Sequence, residues 1–211
     1  TKAKGLMGLE EKKLLAGDPA SGNYFGWSVS LSSDGNTALV GANYKSDTYN
    51  GQGAAYVFTR SGSSWSQQAK LLASDPAAND YFGVSVSLSS DGNTALIGSY
   101  RKIGTAGIIQ GAAYVFSRSN GVWTQQAKLV ASDPADNDQF GYSVSLSGDG
   151  TTALVGANYK SDTYSTQGAA YVFTRSGGTW SQQAKLMHSD PAASDYFGCS
   201  VSLSSDSKVA M

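Results

Sequence analysis

The sequence predicts an all-β fold: a β-propeller of four-stranded antiparallel blades, with about three full blades plus partial terminal blades. The first supporting observation is a repeat, because a Phe-Gly pair recurs at residues 25, 82, 140 and 197. The second is that each repeat contains four short runs with the alternation or the β-branched and aromatic content of strands. The third is that no segment has the periodicity and length of a helix. A solenoid is the competing array, although its repeats are mostly shorter.

The first repeat shows how four strands arise, here named A to D in chain order. Strand A, residues 28–32, alternates valine and leucine with serine, and strand B, residues 37–42, is an almost continuous apolar run. Strand C, residues 54–60, is rich in aromatic and branched side chains, and strand D covers residues 65–72. Residues 34–36 read Asp-Gly-Asn, which predicts a tight hairpin between strands A and B because these residues tolerate positive φ.

The repeats divide almost the whole chain into blades. Residues 1–10 form a non-repeat N-terminal segment, and residues 11–211 form the propeller region. The predicted parts are a lone outer strand at 11–16, blades at about 25–72, 82–130 and 140–187, and a partial blade at 197–211. Three explanations fit the partial ends: a fragment of a longer chain, a ring completed by other copies, or a four-bladed ring with an imperfect last blade. We favour the fragment, because the last repeat stops within its phrase.

Composition and charge exclude several classes of function. The 211 residues contain 15 Lys and Arg against 16 Asp and Glu, so the formal net charge is −1. This balance argues against nucleic acid or an anionic membrane as a partner held by bulk electrostatics. The sequence has no apolar run of about 18 residues, which predicts no membrane span. The single cysteine, Cys199, excludes an internal disulfide framework.

The repeated phrases resemble the FG-GAP repeat, the unit of the integrin α-subunit propeller and of many bacterial and algal surface proteins. Phe25-Gly26 matches the FG element, and Gly41-Ala42 matches the start of the GAP element, with Asn43 in place of its proline. The segment 53–58 matches the strand that follows. The resemblance implies an integrin-like propeller that is secreted or displayed at the cell surface.

The resemblance also raises the question of calcium. Calcium-binding members of the family carry an Asp-rich loop between strands A and B, because the ion takes six to eight oxygen ligands. Here each such loop has one carboxylate, at Asp34, Asp91 or Asp149. We therefore expect no cofactor and no calcium in these loops. The acidic clusters before strand A, at residues 79–80 and 136–138, remain an alternative cation site.

The longer loops predict where a ligand binds. In an up-and-down blade the B-to-C and D-to-A connections lie at one end, and loops of this length over a rigid scaffold often carry function. Tyrosine with asparagine and aspartate suits recognition of proteins and of sugars. The candidate ligand-binding residues are Asn43, Tyr44, Lys45, Asp47, Tyr49, Tyr100, Arg101, Asn158, Tyr159, Lys160, Asp162 and Tyr164. The same face includes Asn79, Asp80 and Tyr81.

The second repeat diverges at this face. It reads Tyr100-Arg101 where the first and third repeats read Asn43-Tyr44 and Asn158-Tyr159. Structural demands act on all copies alike, so divergence between copies can mark a specific contact. Drift is the alternative.

Catalytic chemistry has little support in the sequence. His188 is the only histidine, and no nucleophile or orienting group is placed beside it by any motif. The repeated aspartate before proline, as at Asp18, is interpreted as a turn cap, since one active site does not need four copies. Cys199 occupies the variable position after Phe-Gly and is interpreted as a small buried side chain. We therefore expect no enzyme activity.

Taken together, these observations predict a non-enzymatic extracellular or cell-surface binding or adhesion module. It would present its B-to-C and D-to-A loops to a protein or glycan at one propeller face. Two alternatives remain open. One is a structural building block of an extracellular assembly, which self-associates through open blade edges. The other is an accessory propeller of a larger enzyme.

Overall fold

The protein is described by a computed structural model, in which residues 12–210 can be described. These residues form three four-stranded antiparallel sheets, each in simple sequence order, so the predicted all-β blades are confirmed. The first sheet contains β1 (Phe25–Leu31), β2 (Thr37–Ala42), β3 (Ala54–Ser61) and β4 (Ser64–Leu71). The second contains β5 (Val86–Leu88), β6 (Thr94–Ser99), β7 (Ala112–Ser119) and β8 (Val122–Leu129). The third contains β9 (Phe140–Leu146), β10 (Thr152–Ala157), β11 (Ala169–Ser176) and β12 (Thr179–Leu186).

Hydrogen bonds to one aspartate close the first hairpin of each sheet. Between β1 and β2, the Asp34 carboxylate accepts bonds from the Ser32 hydroxyl at 2.6 Å and from the Asn36 amide at 2.9 Å. Gly35 has a φ of 66°, a conformation that glycine adopts without strain. Asp91 and Asp149 make the same bonds in the other two sheets. The repeated Asp-Gly therefore encodes the turn that the sequence predicts.

The core lies between neighbouring sheets. Leu39 and Val57 of the first sheet pack in one buried cluster with Phe82, Ile97 and Tyr114 of the second repeat. An equivalent cluster joins the second sheet to the third. Burial of apolar area against the next sheet is the main stabilising term in such an array.

Glycine allows the sheets to approach closely near strand B. A Cβ atom at Gly41 would lie 2.1 Å from the carbonyl oxygen of Gly83 in the next repeat. Gly98 and Gly156 meet Gly141 and Gly198 in the same way, at 2.0 Å. These distances are far below a normal contact, so any larger side chain would push two blades apart.

Backbone hydrogen bonds also join neighbouring hairpins. The Ser33 amide donates to the Ser90 carbonyl at 2.9 Å, and the Ser90 amide donates to Gly148 at 2.8 Å. The Gly148 amide continues the series to the Ser205 carbonyl at 2.9 Å. The A-to-B hairpins of four successive repeats are thus linked in one direction.

The predicted terminal parts are only partly regular. Residue 11 lies outside the described residues, and residues 12–16 form no strand, although Leu14 and Ala16 pack on the first sheet. The predicted lone strand at 11–16 is therefore wrong for its described part, because a strand D needs a strand C beside it and the described residues place none there. Within 197–210 the pairing reduces to isolated bridges, from Gly168 to Phe197 and from Leu203 to Ala210, so the predicted partial blade forms no regular strand.

No helix among the described residues is long and apolar enough to cross a membrane.

Candidate ligand-binding site

The two kinds of long loop lie side by side, as the up-and-down strand order predicts. The Asn79 amide, between β4 and β5, donates to the Asn50 carbonyl in the β2–β3 loop at 2.8 Å. The Tyr81 amide donates to the Gly51 carbonyl at 3.1 Å. The same pairing recurs one repeat later, where Asn137 donates to Ile109. We call the surface formed by these loops the loop face.

Six aromatic rings form a continuous row on the loop face. Each ring contacts the next, with centroids 4.6 to 5.9 Å apart. In order, the members of this aromatic row are Trp27, Tyr24, Tyr44, Tyr81, Tyr100 and Tyr142. The row therefore draws side chains from three repeats into one surface.

Local backbone geometry positions the first rings of the row. Tyr24 has a φ of 54° and Gly26 a φ of 92°, and the Trp27 amide donates to the Tyr24 carbonyl at 3.1 Å. This tight turn brings the rings of Tyr24 and Trp27 into a stacked arrangement with an interplanar angle of 22°. Tyr81 repeats the positive φ and accepts from Val84. The glycine of the Phe-Gly pair suits this turn because Gly26 and Gly83 adopt a positive φ that glycine reaches without steric cost.

The aromatic row borders a hollow of about 290 Å³, which we call the aromatic hollow. Five rings, one aliphatic side chain and one amide line it: Tyr24, Trp27, Tyr44, Tyr100, Tyr142, Val84 and Asn43. Rings around a concave surface with few polar groups are typical of small-ligand sites. No lining side chain carries a formal charge at neutral pH.

Asn43 is the one amide among the residues that line the hollow. Its side chain is almost fully buried, with 2% of the residue exposed, and its Oδ1 has no hydrogen-bond partner among the described residues. An unpaired buried acceptor costs about 1–3 kcal/mol, so it is rarely retained without a partner. In the third repeat, Oδ1 of Asn158 is in the same condition.

Beside the hollow, three repeated lysine clusters hold the loops to the sheets. In the first, the buried Lys45 lies 3.1 Å from Asp18 and 3.3 Å from Asp47. Lys70 of β4 contacts both carboxylates as well, at 2.6 and 2.5 Å, and the Tyr56 hydroxyl donates to Asp18 at 2.8 Å. The second cluster contains Lys102, Asp75, Asp80, Lys128 and Tyr114, and the third contains Lys160, Asp133, Asp138, Asp162, Lys185 and Tyr171.

Hydrogen bonds within the first cluster favour the ionised form of the Asp18 carboxylate. Burial by itself would raise the pKa of Asp18. Hydrogen bonds from Lys70, Tyr56 and Lys45 outweigh burial and hold that pKa below its ordinary range. The turn cap expected from Asp18-Pro19 is therefore replaced by side-chain bonds to β3 and β4, which lock the D-to-A connection onto its blade.

The twelve predicted site residues separate into three groups. Asn43, Tyr44 and Tyr100 line the aromatic hollow. Four lie in the lysine clusters, where buried ammonium groups meet carboxylates: Lys45, Asp47, Lys160 and Asp162. The remaining five lie outside the hollow: Tyr49, Arg101, Asn158, Tyr159 and Tyr164.

Two of these outer residues still belong to aromatic contacts. The Arg101 guanidinium lies over the Tyr81 ring at 5.9 Å, next to the row. Tyr159 meets Tyr196 at 5.3 Å. Four lining residues were not among the predicted ones: Tyr24, Trp27, Val84 and Tyr142. The signal was present for three of them, since the residue after Phe-Gly differs in every repeat.

The structure also places the residues that the sequence analysis considered for metal binding and catalysis. Residues 12–210 contain no group of three or more metal-ligating side chains arranged around a common point. The hydrogen bonds from Ser32 and Asn36 lower the pKa of Asp34 to about 2, so its oxygens are engaged by the hairpin itself. His188 pairs with Asp190 at 2.6 Å. Cys199 is exposed, which corrects the expectation of a buried side chain, because the regular blade that would cover it does not form there.

Comparisons with known proteins identify the repeat. A family model described as "FG-GAP repeat" matches residues 9–58, 65–116, 123–173 and 180–210. No curated protein sequence gives a significant match.

The first of two similar solved structures supports the fold. Hydrazine synthase of Kuenenia stuttgartiensis is similar at 13% identity and a TM-score of 0.55, over 94% of this chain and 44% of that chain. TolB of Acinetobacter baumannii is similar at 13% identity and a TM-score of 0.46, over 86% of this chain and 35% of that one. This chain thus spans less than half the length of these structures, and the likeness concerns the fold alone.

Proposed function

Because the chain belongs to the FG-GAP repeat family, we propose that it is a non-enzymatic binding or adhesion module, secreted or at the cell surface, whose loop face engages a protein or glycan. The observation that carries this proposal is the aromatic hollow. A concave, uncharged surface of five rings, four of them tyrosines with hydroxyls that can form hydrogen bonds, is suited to hold a ligand.

Comparison of the repeats supports a ligand rather than a packing role for the hollow. The position after Phe-Gly is Trp27, Val84, Tyr142 and Cys199 in the four copies, although the residues around it are nearly constant. The position of Asn43 is occupied by Tyr100 in the second repeat. Packing constraints apply equally to every blade, whereas a single ligand contacts each blade differently. Divergence concentrated on one hollow therefore favours recognition.

The charged groups of the loop face support a binding role over a catalytic one. Lys45, Lys102 and Lys160 are buried and hold carboxylates in ion pairs, so we leave them out of the proposed ligand-binding set. The groups left at the surface of the hollow are rings and an amide. Such groups contribute contact area and hydrogen bonds at low entropic cost.

The proposal is tested by screening the chain against a glycan array and against immobilised extracellular matrix and surface proteins. A matched pair of variants locates the site: Tyr142→Ser lies in the hollow, and Tyr164→Ser lies outside it at similar exposure, 39% against 45%. We expect a ligand whose binding is lost in Tyr142→Ser and kept in Tyr164→Ser. The absence of any ligand in both screens, or equal loss in both variants, would contradict the proposal.

A second candidate is favoured by the first sheet. Val29 of β1 is 68% exposed, whereas its counterpart Val86 is 8% exposed beneath the preceding blade. An uncovered apolar strand face suits self-association in an extracellular assembly. Light scattering over a range of concentrations tests this candidate, with Val29→Ser as the variant expected to remain monomeric. A monodisperse parent protein at every concentration would exclude it.

A further inference from the structure

We propose that the aromatic hollow binds a neutral sugar ring of a glycan, with a C–H face against the exposed indole of Trp27 and its hydroxyl edge against the tyrosine hydroxyls of the lining. This inference rests on the proposed function and specifies its ligand class. The argument has three parts: the ring faces, the tyrosine hydroxyls and the charge.

The rings offer flat surfaces that remain accessible. Trp27 is 58% exposed and stacks on Tyr24, so one side of the indole is supported while much of the side chain is free. Tyr142 meets Tyr100 edge-on at 84°, which places two ring planes at nearly right angles in the same hollow. A sugar ring has apolar C–H faces and polar edges, so it matches flat aromatic surfaces that meet at an angle. An extended peptide has no comparable flat apolar face.

The tyrosine hydroxyls supply polar contacts around the ring faces. Four of the five lining rings are tyrosines, and a phenolic hydroxyl both donates and accepts a hydrogen bond, as the hydroxyl edge of a sugar requires. The Asn43 oxygen is enclosed rather than offered to a ligand, and Asn158, outside the hollow, is unpaired in the same way. Tyr100 replaces that amide in the second blade and adds a hydroxyl to one side of the hollow.

The charge distribution favours a neutral ligand over a cationic one. None of the seven lining residues is charged at neutral pH, and no carboxylate lines the hollow to balance a cation. The neighbouring ring of the row, Tyr81, already carries the Arg101 guanidinium at 5.9 Å, which repels a second positive charge. The volume of about 290 Å³ is at the lower end for ligand pockets, as expected for one sugar unit rather than a long chain.

The test is a titration of the full chain with the neutral oligosaccharide that binds best on a glycan array, followed by calorimetry. We expect Trp27→Ala and Tyr142→Ala to weaken binding about tenfold or more, and Tyr164→Ala to change it less than about twofold. Raising the salt from low to high concentration should leave the affinity unchanged, because no ion pair forms.

A second readout keeps the test valid if Trp27→Ala or Tyr142→Ala folds poorly. Sugar stacking on Trp27 should change the tryptophan fluorescence of the parent protein, and the change should disappear in Trp27→Phe while binding itself persists. A fluorescence change that survives in Trp27→Phe would overturn the assignment.

The outcomes separate this inference from the proposed function. If the chain binds a protein through Tyr142 and binds no neutral saccharide, the proposed sugar ligand is wrong and the proposed binding function is kept. Binding that needs a charged sugar, or that falls with salt, also overturns the neutral ligand. A chain that binds neither glycan nor protein overturns both proposals.

Discussion

Two neighbouring regions of the loop face differ in how closely their residues repeat from blade to blade. The lysine clusters repeat with almost the same partners in each blade, as the Tyr56, Tyr114 and Tyr171 hydroxyls show by bonding to equivalent aspartates. Among the positions that line the aromatic hollow, the one after Phe-Gly differs in every repeat, and the second repeat has Tyr100-Arg101 where the first has Asn43-Tyr44. Both regions are polar or aromatic and lie at the same end of the blades. Within one chain, repetition therefore distinguishes what every blade needs from what a single ligand would need.

The two regions should also differ in how much their side chains contribute to the stability of the fold. The central lysine of each cluster is buried and paired with carboxylates, so replacing it leaves unbalanced negative charge at that site. The rings of the hollow are partly exposed, and their loss uncovers little additional surface. Substitutions in the clusters should therefore change stability, and substitutions in the hollow should change binding.

The largest expected effect is from Lys102→Met in the second cluster. The buried Asp80 carboxylate, 2.9 Å from Lys102, would lose its closest cation, and breaking such a buried pair costs about 3–5 kcal/mol. Chemical denaturation of the variant and the parent measures the change in the free energy of unfolding. Trp27→Ala, in the hollow, is the matched comparison and should cost much less.

A double variant sharpens this prediction. Lys102→Met with Asp80→Asn removes both charges but keeps an acceptor for the Ala77 amide, and the first repeat already has Asn23 at the position of Asp80. The double variant should recover most of the lost stability. If it is as unstable as Lys102→Met, the ion pair is not the cause and the contrast between the two regions fails.

A smaller loss is expected from Gly98→Ala, at the contact between the second and third blades. The new Cβ would lie 2.0 Å from the Gly141 carbonyl oxygen, and overpacking of this kind costs about 1–3 kcal/mol. Thermal unfolding measures the effect. Gly17→Ala is the control, because its Cβ would meet only the flexible end of Gln67 at 3.4 Å. Equal melting temperatures for both variants would show that blade spacing is not fixed at this glycine.

The smallest effect concerns acid stability of the hairpins. Hydrogen bonds from Ser32 and Asn36 lower the pKa of Asp34 to about 2, so ionised Asp34 stabilises the folded state above the ordinary carboxyl pKa. This contribution is lost as the pH falls from about 4 towards 2. In Asp34→Asn, thermal unfolding should therefore depend less steeply on pH in this window than in the parent. A steeper dependence in the variant would contradict the sign of the shift.

The sequence was informative about the blades and less so about the site. The spacing of Phe-Gly and the Asp-Gly turns predicted all twelve strands of the three sheets, because local patterns and nearest-neighbour packing determine a repeat fold. It did not predict the burial of Lys45 and Lys160, since polar loop residues are usually exposed and their carboxylate partners are distant in the chain. It also did not place Trp27 and Tyr142 around one hollow, because the arrangement of side chains from different repeats depends on how the blades are rotated relative to each other.

The hydrogen bonds that link successive hairpins join only adjacent repeats, from Ser33 to Ser90 and from Ser90 to Gly148. Opening of the chain should therefore begin at an outer sheet and advance one unit at a time. The sheet formed by β5 to β8 has a neighbour packed on each side. Its amide protons should consequently be the last to exchange with deuterated solvent, and β1, whose Val29 and Leu31 are exposed, should be among the first to do so.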